Sequence, residues 1–580
     1  MFPAPRRFAF LVSFLILTRF AFPADEFMHV RDIKPGMKGY GLTVFSGTTI
    51  ERFDVEVISV MKQAQGKMDL ILIRMSGGPL AHSGIVAGMS GSPIYLNDKL
   101  IGAVAYGWTF AKDPIAGVTP IHEMLTVLKR TQPPRTQTAA IKPPPVAASD
   151  GGLKPIATPL MVSGVPMRLL KDLEPAFDRF GLFPVQSGGG APQYEGPPPD
   201  LKPGSAVAAQ LIRGDMDMSA VGTVTYRSGD HILAFGHPMF QGGDVDLPMA
   251  EGYVHLTLAR QDRSYKLAGS RAVVGKVSRD YAAAIGGEMG KEARMVPCKV
   301  TVTSASTGQT HTYNYNYEMI HDKMWTPRLI QIALANSIAT TEAETGEMML
   351  DVKAEMHVKD RPDPVRVSNT FFDASGFHTS LGDVYSAAND LINNGFRQVA
   401  VERIVAEITV RPGRETASIE TARVVQAKAI PGKTIDVVIG LRPYKAKELI
   451  FRTVQVRVPE TLQEGYVLPI MVSDARTGRF LAQALRPGAF RPSKFSQVVK
   501  LIEEQRDNKS LVVHALLPDL GLTAQGETLP SLPSSFLAMM GGSESRAAGS
   551  YARGCVTATV ATPWVLMGMQ STTVVIGEKE

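Results

Sequence analysis

Cysteine is nearly absent: Cys298 and Cys555 are the only two in 580 residues. That scarcity excludes a disulfide-stapled scaffold and a thiolate metal site. Neither cysteine lies in a C-x-x-C pattern, so one bridge in an oxidising compartment is the most the pair could form. No group of histidines falls at metal-ligand spacing and no glycine-rich phosphate loop is present, so neither a metal nor a cofactor is expected. The net charge of +6 is spread along the chain, with no basic run interleaved with aromatics, which argues against a nucleic-acid partner. After the first two dozen residues no stretch of 18 apolar residues occurs, so no integral membrane span is expected in the mature chain.

Glycine and proline, by contrast, are plentiful at 53 and 40 residues, beside 44% hydrophobic and 20% charged residues. This composition describes a turn-rich globular chain that leans towards β structure, and its length calls for several domains. At the N-terminus Arg6 and Arg7 precede the apolar run Phe8–Leu17, followed by small residues at Ala21 and Ala24. A short basic region, an apolar stretch and a small-residue exit define a signal peptide over 1–24. The expected location is periplasmic or extracellular, with membrane anchoring if the leader is retained.

Short β-branched and aromatic runs bounded by turn residues fill 28–130, among them Gly41–Phe45, Phe53–Val60, Leu70–Arg74 and Leu100–Tyr106. Helical spacing at Ile121–Lys129 closes that segment. A Pro/Gly-rich linker with a small α/β insert, including a helix at Met167–Phe180, is expected over 131–204. Strands resume over 205–325. A mixed segment spans 326–399, a β-sandwich-like module 400–485, and a mixed region 486–580. Within the last two, Ile404–Arg411, Thr434–Leu441, Thr453–Val458 and Tyr466–Ser473 read as strands and Phe495–Arg506 as an amphipathic helix.

Chemistry points first to Gly88-Met89-Ser90-Gly91-Ser92-Pro93. A hydroxyl nucleophile needs a tight turn whose N–H groups face the developing oxyanion, and flanking glycines let the chain make it. Ser90 is the expected nucleophile, with the N–H groups of Gly88 and Ser90 as oxyanion donors; Ser92 is its rival, leading into the next strand. A serine needs a base, and His237 in Ala234-Phe235-Gly236-His237-Pro238 has the most turn-like setting of the 11 histidines. His82 reads as a loop residue, and Trp108 and Phe110 as either cleft or core residues.

The segments Phe53–Val57, Gly84–Tyr95, Leu100–Val104 and Lys112-Asp113-Pro114 with Gly117 resemble the SpoIVB sporulation serine peptidase family. A second block, Gly222–Tyr226, Ala234–His237 and Val274–Val277 with Gly286-Gly287, also resembles it. The resemblance implies a mainly β, trypsin-like double β-barrel with Ser90 as nucleophile and His237 as general base. In the family the histidine half comes first; here the serine half does, so the halves are circularly permuted, with a β-rich C-terminal module added. The family's aspartate falls at Met75 and Ser76, neither acidic. Asp244 and Asp246, just after His237, are the candidates for that role, with Asp69 a third and a backbone carbonyl or Ser76 the non-acidic options.

What the resemblance implies is an exported serine endopeptidase that acts on a protein or peptide substrate by limited proteolysis. The alternative is an inactive peptidase-fold scaffold of the cell envelope.

Overall fold

The computed structural model describes residues 26–108, 110–129, 152–188, 195–305, 309–342, 346–374, 381–524, 527–529, 532, 535–537 and 550–578. The expected signal peptide, and residues 131–151 and 189–194 of the Pro/Gly-rich linker, lie outside the described residues. The fold is mainly β. Its first part runs through β1 (Lys38–Val44), β2 (Ile50–Gln65), β3 (Met68–Ser76), a one-turn helix α1 (Leu80–Ser83), the two-residue β4 (Val86–Ala87), β5 (Pro93–Leu96), β6 (Lys99–Gly107), β7 (Ile115–Pro120) and α2 (Ile121–Lys129). Antiparallel pairing in the order β1-β2-β3-β7-β6-β5, with β5 returning to β1, closes a six-stranded barrel. Inward residues such as Phe53, Val55, Val57, Ile71 and Ile73 alternate with exposed ones and fill it.

A parallel β-α-β insert follows a short β8 (Lys154–Pro155) laid on β6: β9 (Thr158–Ser163), α3 (Met167–Asp178) and β10 (Leu182–Gln186). Leu169, Leu173 and Phe177, four residues apart, form the buried stripe of α3. The second barrel takes β11 (Ala206–Gly214), β12 (Asp217–Ser228), β13 (His231–Ala234), β14 (Gly243–Leu258), β15 (Ser264–Tyr281) and β16 (Ala284–Met289). The ring β11-β12-β13-β16-β15-β14 closes where β14 meets β11 again, and every pairing is antiparallel.

The sheet of the second barrel continues beyond the ring. On one side β12 carries β9 and β10; on the other β11 carries β18 (His311–Ile320), which pairs with β17 (Met295–Ser304). Then come β21 (Val401–Pro412), β19 (Met348–Val358) and β20 (Val365–Asp373). Helix α4 (Trp325–Thr341) is buried along most of its length, and α5 (Gly382–Ile392) packs beside it. The strand expected at Ile404–Arg411 therefore sits between β17 and β19, because only tertiary pairing tells a strand which sheet it joins.

Beyond residue 415 two further sheets share one core of Ile419, Val437, Ile439, Leu468, Ile470 and Val513. The second of these sheets draws on strands as late as Met569–Ile576, so the sandwich uses the chain's last described residues. Helix α6 (Ala475–Leu485) lies on its flank, whereas α7 (Phe495–Glu503) packs on β20 and α5 and buries Val498, Val499 and Ile502 in the core of the second-barrel sheet. Cys298 is buried in β17 and Cys555 lies in the strand Ser550–Ala561; both are free thiols. Burial pushes the Cys298 thiol up to about 12. No helix among the described residues is long and apolar enough to cross a membrane.

Candidate active site

The turn that carries Ser90 lies between β4 and β5, at the contact of the two barrels. Gly88 and Gly91 have φ of +96° and +95°, a region that favours glycine. At Gly91 space is also decisive: a Cβ there would stand 1.9 Å from the Thr223 carbonyl oxygen of the second barrel. Backbone and side chain of Thr223 hold the turn from the other side. Its N–H donates to the Ser90 carbonyl at 2.8 Å and its hydroxyl to the Gly88 carbonyl at 3.0 Å. Thr225 donates to the Gly91 carbonyl at 2.7 Å. The two-residue β4 pairs in parallel with Ser264 and Tyr265 of β15, which anchors the start of the turn to the same barrel.

His237 follows β13. The preceding Phe235 and Gly236 both adopt left-handed φ, +68° and +69°, and a non-glycine residue there costs about 1–3 kcal/mol. Surrounding contacts sustain the strain: Thr119 of the first barrel donates to the Gly236 carbonyl at 2.6 Å, and Phe235 N–H reaches the Thr223 carbonyl at 3.3 Å.

These two loops bring Ser90 Oγ to 2.9 Å from His237 Nε2. Nδ1 lies 2.8 Å from the Pro238 carbonyl oxygen. A carbonyl can only accept, so Nδ1 carries the proton and Nε2 is left to accept from the Ser90 hydroxyl. Burial brings the imidazole down to about 4, with the Pro238 carbonyl opposing the shift, so the ring is neutral near pH 7. Ser90 is fully buried and His237 is 2% exposed. Ser92 is equally buried, and its hydroxyl has no hydrogen-bond partner among the described residues.

The candidate carboxylates are engaged elsewhere. Asp244 accepts from the Tyr281 hydroxyl at 3.0 Å, and Asp246 from Lys276 Nζ at 3.3 Å and Arg294 N–H at 3.0 Å. Asp69 is held by Lys62 and by the N–H of Gln63. None of the three hydrogen-bonds His237, which corrects the expectation for Asp244 and Asp246. Both lie on β14, whose pairing with β15 directs them to partners on that side. Met75 is buried and Ser76 is exposed at the end of β3.

Two ionisable residues of the site escape sequence reasoning. Asp280, on β15 and fully buried, accepts from the N–H groups of Met239, Phe240 and Gly242 at 2.8, 2.7 and 3.1 Å. It thereby shapes the loop whose first carbonyl, Pro238, orients the imidazole. Burial raises its pKa against the opposing pull of those N–H groups.

Lys266, also on β15 and fully buried, lies beneath the nucleophile turn. Its stem packs on Gly88, where a Cβ would meet it at 3.2 Å, and its Nζ donates to Thr43 at 2.8 Å and Thr223 at 3.4 Å. Burial brings the amine down to about 7. A lone Asp or Lys in a strand carries no periodic signal, so neither could be singled out. Thr223 and Thr225, in contrast, stand inside the second resembling block.

Among the described residues no group of three or more His, Cys, Asp or Glu side chains converges as a metal site would require. No curated protein and no solved structure matches the chain. The family model described as SpoIVB peptidase S55 matches residues 26–125, a span that contains the Ser90 turn and ends before His237. The likeness to the SpoIVB peptidase S55 family thus covers the serine-bearing barrel.

Proposed function

We propose that the chain is an exported serine endopeptidase performing limited proteolysis of a protein substrate. Ser90 Oγ attacks the scissile carbonyl carbon while its proton passes to His237 Nε2. The N–H groups of Gly88 and Ser90 hold the oxyanion. Collapse of the intermediate breaks the C–N bond, and the same proton leaves with the amine. Water then repeats the sequence on the acyl-enzyme and restores the Ser90 hydroxyl. The observation that carries this reading is the 2.9 Å approach of Ser90 Oγ to the unprotonated nitrogen of a neutral imidazole.

The Pro238 carbonyl selects the tautomer as a carboxylate would, but it brings no full charge to stabilise the imidazolium. A slow, selective enzyme suits that arrangement better than bulk digestion. The burial of the pair also implies that a substrate must displace whatever covers it. Burial and the missing carboxylate favour a second reading, an inactive scaffold on a peptidase fold.

Labelling of the purified chain with a serine-directed phosphonate separates the two. An adduct mapped to Ser90 and lost in His237→Ala is the expected result. A folded chain that takes no adduct and cleaves neither itself nor unfolded casein supports the scaffold.

A further inference from the structure

A second candidate site lies far along the chain, on the flank of the C-terminal sandwich. Helices α5, α6 and α7 enclose a cavity of about 1110 Å³. Its walls carry Arg476, Arg479, Arg486 and Arg506. Among the described residues none of these four guanidinium groups forms an ion pair or a hydrogen bond within the chain. The Nε of Arg486 is a buried donor without an acceptor. The fifth cation, Lys500, is 3.8 Å from Glu504, so that pair cancels.

The remaining lining acid, Asp383, is tied to Asn369; Asp390, outside the lining and pushed up by burial, feels Arg479 only at longer range. The charges also converge: after burial itself, Arg506 and Arg486 both help to hold His514 below its ordinary value. Helix ends add to the field, because the first turns of α5 (Gly382, Asp383) and α6 (Ala475, Arg476) open onto the cavity.

Unpaired like charges gathered in one cavity repel one another, so the fold gains nothing from them without a counter-ligand. Arg476 and Arg486 are separated by about 15 Å of helix rise, too far for one phosphate or one small dicarboxylate to serve both. An extended peptide covers that distance in about five residues. Between the arginines stand the amide of Gln505, which can pair a peptide backbone, and apolar surface from Phe371, Phe490 and Leu501. Alternation of cation, amide and apolar wall suits a peptide better than a bare phosphate chain, which would ask for cations throughout.

We infer that this cavity is a docking site for an acidic peptide segment of about five residues on a protein partner, read by Arg476, Arg479, Arg486 and Arg506. The inference does not depend on the chemistry at Ser90.

The test is fluorescence anisotropy of a fluorescein-labelled hexaglutamate peptide with the full mature chain at low and moderate salt, against Ser90→Ala and the double variant Arg479→Gln/Arg486→Gln. Saturable binding is expected, weakened at least about tenfold by the double variant and by raising salt from 50 to about 200 mM, and unchanged in Ser90→Ala. The melting temperature of the double variant should hold or rise, since it relieves repulsion. Equal binding by the double variant overturns the inference. So does an absence of binding at low salt, or a fall of several degrees in melting temperature, which makes the arginines structural. Displacement of the peptide by sodium tripolyphosphate or phosphatidylglycerol vesicles at lower anion concentration than free hexaglutamate assigns the site to phosphate and also overturns it.

Discussion

The first barrel closes on six strands and adds only the two-residue β8, whereas the second, closed on six as well, is continued on both sides by seven more strands. The difference lies in strands whose one side changes partner along their length. One side of β11 keeps β12 from Ala206 to Ile212, while its other side pairs with β14 at 207–209 and then with β18 at 212–214. Likewise 217–220 of β12 accept β9, while 224–228 pair with β13. Backbone groups that overrun a closed ring still need partners, so long strands recruit further ones where strands that end at the ring do not. The site divides in the same way. The first barrel supplies the glycine-framed Ser90; the second supplies His237 and most of what holds the pair, namely Thr223, Thr225, Lys266 and Asp280.

The largest test of that division is removal of either partner. Ser90→Ala and His237→Ala should each lower kcat/KM by about 10⁴-fold or more, with the melting temperature of Ser90→Ala nearly unchanged. Residual turnover within tenfold of the parent in either variant would move the chemistry away from the barrel contact.

Lys266 comes next. Its folded pKa, about 7, lies below the ordinary lysine value of 10.5, so between those limits the unfolded chain binds more protons. Stability should therefore rise as pH climbs from about 7 to about 10.5, by up to about 5 kcal/mol, and fall again as pH drops back through 7. Lys266→Met should flatten that slope by one proton, read as urea midpoint against pH. A slope unchanged by the substitution would mean that the amine is solvated and does not buttress the turn.

Gly91→Ala probes the docking itself. A methyl 1.9 Å from the Thr223 carbonyl, at positive φ, should cost about 3 kcal/mol or more and part the turn from the second barrel. The equivalent change at exposed Gly66, which has no atom within 4 Å of its Cβ, should cost only the strain of its own φ of +62°. The two variants compared by chemical denaturation separate a left-handed position that docks on the second barrel from one that faces open space.

The smallest effects are expected at the carboxylates. Asp244→Asn and Asp246→Asn should each change kcat/KM less than about threefold, since neither touches His237. A loss of 10³-fold in either would show that a carboxylate, and not the Pro238 carbonyl, orients the ring during turnover. With burial holding His237 at about 4, the base also stays neutral across the range where an ordinary histidine protonates, so kcat/KM should not fall between pH 7 and 5 on its account.

Local features were legible in advance. The helix expected at Ile121–Lys129 has those limits, and that at Met167–Phe180 runs over Met167–Asp178, because apolar spacing and flanking prolines or glycines are local properties. Phe53–Val60 was visible only as the inner half of a 16-residue strand, since the exposed stretch Met61–Gln65 lacks apolar alternation. The arginines of α6 carry no such signal, because single charges on a helix face look like an ordinary solvated surface until a cavity gathers them.

What the sequence determined by itself was the chemistry-bearing turn: two glycines around a serine can make that bend without steric penalty, and the residues around them carry the family resemblance. Only the tertiary structure decided what the turn faces. The meeting of Ser90 with a histidine 147 residues away, the choice of a carbonyl over Asp244 or Asp246, and the burial of Lys266 and Asp280 all depend on how two closed barrels dock. Docking sums many weak contacts between distant segments, and no local pattern encodes such a sum.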